Sequence, residues 1–299
     1  MYQYEYDSAV DVGEESSHLF HAGSSNVAVA APAEYLEDRH DASLHVCARG
    51  ESTQIVNGVR FDLLDREDLG RIVQSFVRCD ESHVIHFLAV DPTVRAAQDD
   101  SYRAVLNDGD LNIADGQPIA WAIRLRGRRT ERIAGTDGVT LLCEEGLQAR
   151  RSHYLYGGSE LVNERLRFQL RRRHAGIRIV GAEAPPWGMP SEHELAASAA
   201  RIRASGTELL WIGVGTPNQH YVANRLRELG AAPVILCVGA AFDFVSGTKQ
   251  RAPEWLQKLG LEWCHRLLSE PRRLAGRYLV GNPRFLAGVM REHLGRASS

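Results

Sequence analysis

Between Ile55 and Gly239 short apolar runs alternate with helical spacing, and the runs repeatedly end in glycine. From Asp65 to Cys79 the apolar residues Leu69, Ile72, Val73 and Phe76 fall on one helical face. The run Val84–Val90 follows as a strand, then a helix over about Thr93–Leu106, then a short strand Leu111–Ile113 that stops at Asp115-Gly116. Tyr154-Leu155-Tyr156 enters Gly157-Gly158-Ser159 and a helix to about His174. Ile177–Val180 reads as a strand and Glu192–Ser205 as a helix after a Pro-rich turn. Glu208–Val214 is a buried-strand pattern ending in Gly215-Thr216-Pro217, ahead of a helix to about Leu229, and Val234–Val238 is the last clear strand. Strand–glycine–helix repetition implies an α/β fold with an open, mainly parallel, Rossmann-like sheet flanked by helices. Ligands of such sheets bind in the crevice at the carboxyl ends of the strands.

Charge is unevenly spread. Residues 1–50 carry nine acidic side chains and two arginines, a net of −7, whereas residues 249–299 carry ten Lys/Arg and four glutamates, a net of +6. The overall net charge of −3 argues against a general nucleic-acid binder, and the basic C-terminal segment suggests an anionic partner. Residues 1–52 mix Ser, Gly, Ala, Glu and Asp with little periodicity and are expected to be disordered. The α/β core is expected over 53–248, with a helical, basic appendage over 249–299. Five scattered cysteines with no C-x-x-C pair read as reduced thiols of a cytosolic protein. No signal peptide is visible, and no stretch approaches the roughly 18 apolar residues that span a bilayer.

Glycine allows close backbone approach to a ligand, and the helix that follows offers its positive N-terminus to phosphate. Three such strand ends, at Gly157, Gly215 and Gly239, fit an anionic, nucleotide-like ligand as well as they fit tight turns. No G-x-x-x-x-G-K-[ST] is present, and no G-x-G-x-x-G follows the first strand. Asp115 is a carboxylate at a strand end before a flexible glycine, where it can accept a proton from a hydroxyl. Asp108-Gly109-Asp110 matches the D-x-D of metal-dependent glycosyltransferases, but a turn between helix and strand explains it better. His83 and His86, three apart on a strand, point to opposite faces and do not share a metal.

The longer stretch Asn107-Asp108-Gly109-Asp110-Leu111-Asn112-Ile113-Ala114-Asp115-Gly116-Gln117-Pro118 resembles the first signature of the WecG/TagA/CpsF glycosyltransferases (glycosyltransferase family 26). Glu131–Asp137, Gly213-Val214-Gly215-Thr216-Pro217-Asn218-Gln219, and Val238–Phe244 with Arg251–Trp255 and Leu259–Trp263 continue that resemblance in order and spacing. It implies an inverting, metal-independent transfer needing no cofactor. A hexose or N-acetylhexosamine-type sugar would pass from a UDP-sugar to a polyprenyl-diphosphate-linked saccharide acceptor in cell-surface polysaccharide synthesis. By the resemblance, Asp115 is the catalytic base, Arg132 stabilises charge on the leaving diphosphate, and Gln219 and Asp243 bind the nucleotide sugar. Asn112, Gly157 and Gly215 are further substrate-binding candidates. The chain departs from the family at Ala89, where a Thr-x-Asn is usual, and at His220, where an acidic residue is common.

Toward the C-terminus Trp255, Leu259, Trp263 and Leu267 recur every four residues, as one helical stripe flanked by arginines. Tryptophan beside arginine suits an anionic membrane surface, and the same pattern also fits a helix docked on the core. The resemblance favours the membrane, peripherally on its inner, cytoplasmic face, with Arg266, Arg272 and Arg277 toward the acceptor diphosphate. A homo-oligomer is left open, its order unspecified. The competing reading, prompted by the missing Thr-x-Asn, is a non-catalytic nucleotide-sugar-binding module.

Overall fold

The computed structural model describes residues 52–297, and the side chains among them except those of Lys258, Arg273, Arg277 and residues 295–297. The expectation of disorder over 1–52 therefore lies outside the described residues, save Ser52. The described chain opens with a hairpin, β1 (Thr53–Val56) and β2 (Val59–Asp62), whose Asn57-Gly58 turn has positive φ at both residues. Asn-Gly is the pair such a tight turn favours. Helix α1 (Arg66–Val77) follows, started by a reciprocal capping box between Asp65 and Asp68.

Strand β3 (His83–Leu88) leads through α2 (Val90–Ala96) and α3 (Asp100–Asn107) to β4 (Leu111–Ala114). The single helix expected over 93–106 is thus two, because Asp99 accepts the Tyr102 N–H and starts a new helix there. Helices α4 (Gln117–Leu125) and α5 (Gly135–Gln148) then carry the chain to β5 (Ser152–Gly157). After it come α6 (Glu160–Arg173), β6 (Arg178–Glu183), α7 (Glu192–Ala204), β7 (Leu209–Gly213), α8 (Asn218–Glu228), β8 (Val234–Cys237) and α9 (Ala241–Val245). Three C-terminal helices complete it: α10 (Glu254–Lys258), α11 (Glu262–Ser269) and α12 (Pro271–Ala297).

Six strands form one parallel sheet in the order β4-β3-β8-β7-β5-β6. Every residue of β3, β4, β5 and β8 is buried, as expected of a parallel sheet covered on both faces. One face packs Phe76, Leu142, Leu166 and Phe242 over Ile85, Leu111 and Trp211. The opposite face packs α3, α4 and α12 against Leu88 and Ala114, and α7 and α8 against Tyr156, Leu210 and Ile235. The outer edge of β4 is covered by β2: Asp62 Oδ2 accepts the Asn112 N–H at 2.8 Å, and Arg60 Nη2 donates to Gly109 O at 2.6 Å. The chain leaves β3 toward β4 and β5 toward β6, so a crevice opens above their carboxyl ends, over β8 and β7.

The C-terminal stripe is not one helix. Gly260, at φ +70°, ends α10, and a Cβ there would lie 2.7 Å from the Trp121 ring, so only glycine fits the turn. Helix α12 is anchored rather than loose. Phe285 and Val289 are buried, and Glu292 accepts the Asn57 and Gly58 N–H groups at 3.0 and 3.1 Å while pairing with Arg126. Among the described residues Cys143, Cys237 and Cys264 are free thiols.

Candidate active site

Asp115 leaves β4 at the crevice, and its N–H donates to Leu88 O of β3 at 3.1 Å, extending the ladder by one residue. Its backbone is therefore fixed while its half-buried side chain stands at the strand ends. Burial pushes the carboxyl up to about 6. Arg132 and Arg266 oppose that rise, and Glu262 and Asp137 add to it. A carboxylate so placed is a stronger base than an exposed aspartate and still ionises near neutrality.

Arg132, between α4 and α5, donates from Nε to the Asp115 carbonyl at 2.8 Å and from Nη2 to Glu262 Oε2 at 2.8 Å. Arg251 holds Asp137 through two bonds of 2.7 and 3.2 Å, and its Nε lies 3.8 Å from Glu262 Oε1. Partial burial works to raise the Asp137 carboxyl, but the bonds from Arg251 outweigh it and hold it below its ordinary value. Arg66, Gln117, Arg132, Asp137 and Arg251 line an open cleft at this point. The arrangement can take a proton from a hydroxyl and hold a multiply charged anion within one neighbourhood.

Gln219 lies at the start of α8, 2% exposed, with Nε2 3.1 Å from His220 Nε2. Its Oε1 has no hydrogen-bond partner and lies 3.3 Å from where a Cβ on Gly239 would stand. His220 is buried and bonded to the Tyr102 hydroxyl at 2.7 Å; burial pushes its imidazole down to about 3, so it is neutral at physiological pH. Asp243, in the first turn of α9, pairs with Lys249 at 3.0 Å, and Lys249 also reaches Glu270 at 3.2 Å. Gly215, at φ +84°, has open space where a side chain would be, whereas Gly157 is pressed against the Gly213 backbone.

Asn112 is not brought to the crevice. It is fully buried, its Nδ2 donates to Leu106 O at 2.9 Å, and its side chain secures α3 to β4 three residues before Asp115. Among the three C-terminal arginines, Arg266 sits over the Phe244 ring at 5.4 Å, on the side of the crevice, and Arg272 is exposed at the start of α12. The side chain of Arg277 lies outside the described residues. Asp108 and Asp110 are at the opposite end of the sheet: Asp108 caps α3 and pairs with Arg227, while Asp110 accepts the Val84 N–H at 2.9 Å.

Asp137, Lys249, Arg251 and Glu262 went unassigned in the sequence although all stand at the crevice. Asp137 and Arg251 lie within the family-like blocks, but nothing local marks a pair 114 residues apart.

A half-buried carboxylate and paired guanidiniums thus stand together at the strand ends of an open parallel α/β sheet, the place where such sheets bind ligands. A model of the Glycosyl transferase WecG/TagA/CpsF family matches residues 54–299. The chain belongs to that family and is a glycosyltransferase. It is 30% identical over 205 residues to the N-acetylglucosaminyldiphosphoundecaprenol N-acetyl-beta-D-mannosaminyltransferase of Bacillus spizizenii strain W23, covering 68% of this chain and 76% of that protein.

Proposed function

We propose that the chain transfers a hexose or N-acetylhexosamine-type sugar from a UDP-sugar to a polyprenyl-diphosphate-linked saccharide, in cell-wall or other surface polysaccharide synthesis. The observation that carries this reading is the Asp115 carboxyl, raised to about 6 and joined through its own carbonyl to Arg132. The relative in Bacillus spizizenii, whose name describes mannosaminyl transfer to a lipid diphosphate-linked N-acetylglucosamine, supports the acceptor class.

In the proposed step Asp115 takes the proton of the acceptor hydroxyl as its oxygen attacks the anomeric carbon. The new C–O bond forms on the face opposite the departing UDP, so the anomeric configuration inverts. The electron pair of the breaking bond goes to the diphosphate, whose charge Arg132 stabilises. Arginines thus take the part a metal plays elsewhere, and the D-x-D that could hold one lies at the other end of the strands. Gln219, Asp243, Gly157 and Gly215 are assigned to the donor side, and Arg266, Arg272 and Arg277 to the acceptor diphosphate.

A screen of radiolabelled UDP- and GDP-sugars against a lipid-linked acceptor tests the reading. Transfer from a UDP-sugar is expected. Calorimetric UDP binding without turnover on any acceptor would leave the chain a nucleotide-sugar-binding module instead.

No helix among the described residues is long and apolar enough to cross a membrane. On α12 the exposed Leu279, Leu286 and Met290 share one side, with Arg272, Arg284 and Arg291 also exposed along the helix. We assign this row to the anionic inner membrane surface, where apolar insertion and arginine–lipid attraction add. Because Phe285 and Glu292 tie α12 to the core, point changes test this more cleanly than truncation. Leu279→Glu with Leu286→Glu is expected to reduce sedimentation with anionic liposomes several-fold; unchanged sedimentation would remove the row from the membrane.

A further inference from the structure

Arg132 and Arg251 reach the same carboxylate from two sides of the cleft. Glu262 turns Oε2 toward Arg132 at 2.8 Å and Oε1 toward Arg251 at 3.8 Å. One anionic group bridging two guanidiniums is the arrangement a diphosphate would adopt between them. The two Nη atoms of Arg251 are fixed on Asp137, and its buried Nε has no hydrogen-bond partner and faces the Glu262 carboxylate.

The helix that supplies Glu262 packs on α12, with the Trp263 and Tyr278 rings 5.9 Å apart, and not into the core. None of the residues of α11 is buried. Its contacts with the crevice include Glu262 on the two arginines and Arg266 over Phe244, with Glu270, just past its end, on Lys249. Glu262 supplies one carboxylate to two guanidiniums, and a ligand of higher charge can compete with it for both.

We propose that Arg251 is a second guanidinium for the diphosphate of the nucleotide donor, beside Arg132, and that Glu262 holds the diphosphate's place until the donor binds. This rests on the UDP-sugar reading above. Donor binding exchanges one carboxylate for a group of greater negative charge, and Glu262 moves off with α11.

The test is calorimetric titration of the full chain with UDP alone. Arg251→Gln is expected to weaken UDP about tenfold or more, the loss of a charge-assisted bond. Glu262→Gln is expected to tighten UDP about two- to fivefold, because a competing carboxylate is gone. In the double variant the Glu262→Gln gain should shrink. A helix tie with no ligand role would give the opposite sign for Glu262→Gln, so weaker UDP binding there overturns the proposal, as does unchanged affinity in a folded Arg251→Gln. If loss of the Asp137 partner unfolds Arg251→Gln in a melting assay, Glu262→Gln carries the test alone. Arg132→Gln separates the two levels. If it weakens UDP and Arg251→Gln does not, only this proposal fails; if the wild-type chain does not bind UDP, the donor reading fails and takes the proposal with it.

Discussion

Asp115→Asn is expected to lower sugar transfer about 10²–10⁴-fold while making the folded chain more stable at neutral pH. Both effects come from one property. Asparagine keeps the size and the backbone bonds of Asp115 to Leu88 and Arg132, so the crevice should survive and UDP should still bind. What it removes is the proton acceptor. The stability change follows from the raised carboxyl, which moves from an ordinary 3.8 to about 6 on folding. The native state then holds the proton more tightly than the unfolded chain, so stability falls as pH rises from about 4 to about 6 and stays lower above that. Removing the charge should recover about 1–3 kcal/mol at pH 7 and almost nothing near pH 4. Denaturant titrations of both forms at the two pH values check this. In the wild type, kcat/KM should climb through about pH 6 to a plateau as Asp115 ionises. Full turnover by the asparagine variant would take Asp115 out of the mechanism.

Gly157→Ala should be the most damaging single methyl in the sheet. Gly157 has φ +132°, and a Cβ there would meet the Gly213 carbonyl carbon at 2.5 Å and its oxygen at 2.6 Å. Neither neighbour is a side chain that can turn away, because both belong to the backbone of the adjacent strand. Left-handed strain and overpacking together suggest about 2–5 kcal/mol of lost stability. Gly215→Ala is the control. Its φ of +84° carries the strain, but nothing lies within 4 Å of the added methyl. Equal denaturation midpoints for the two variants would show that contact with Gly213 is not what requires glycine.

The layered parallel sheet was legible because each strand is a short apolar run closed by a turn residue, and periodicity reports local packing faithfully. Asp115 was legible for a related reason: strand end, carboxylate and glycine are consecutive. The helix break before Tyr102 was missed because the apolar spacing continues across it, while the cap that decides it is a single aspartate, Asp99. The C-terminal stripe misled similarly, since four-residue spacing survives on paper through Gly260 but not in the chain. Asn112 looked like a site residue from its place in the signature, yet strand alternation turns its side chain under α3. Pairs such as Arg251–Asp137 and Arg132–Glu262 join segments more than 100 residues apart, and local pattern says nothing about them.

The carboxylate of Asp62 on the β4 margin has a consequence for assembly. An open outer strand is a template on which a second chain can lengthen a sheet. Here the strand that leads to Asp115 has its Asn112 amide already donated to Asp62 Oδ2. A second chain would therefore find no free Asn112 amide with which to continue the ladder past β4, and the backbone leading to Asp115 keeps the same partner whether the chain is single or assembled.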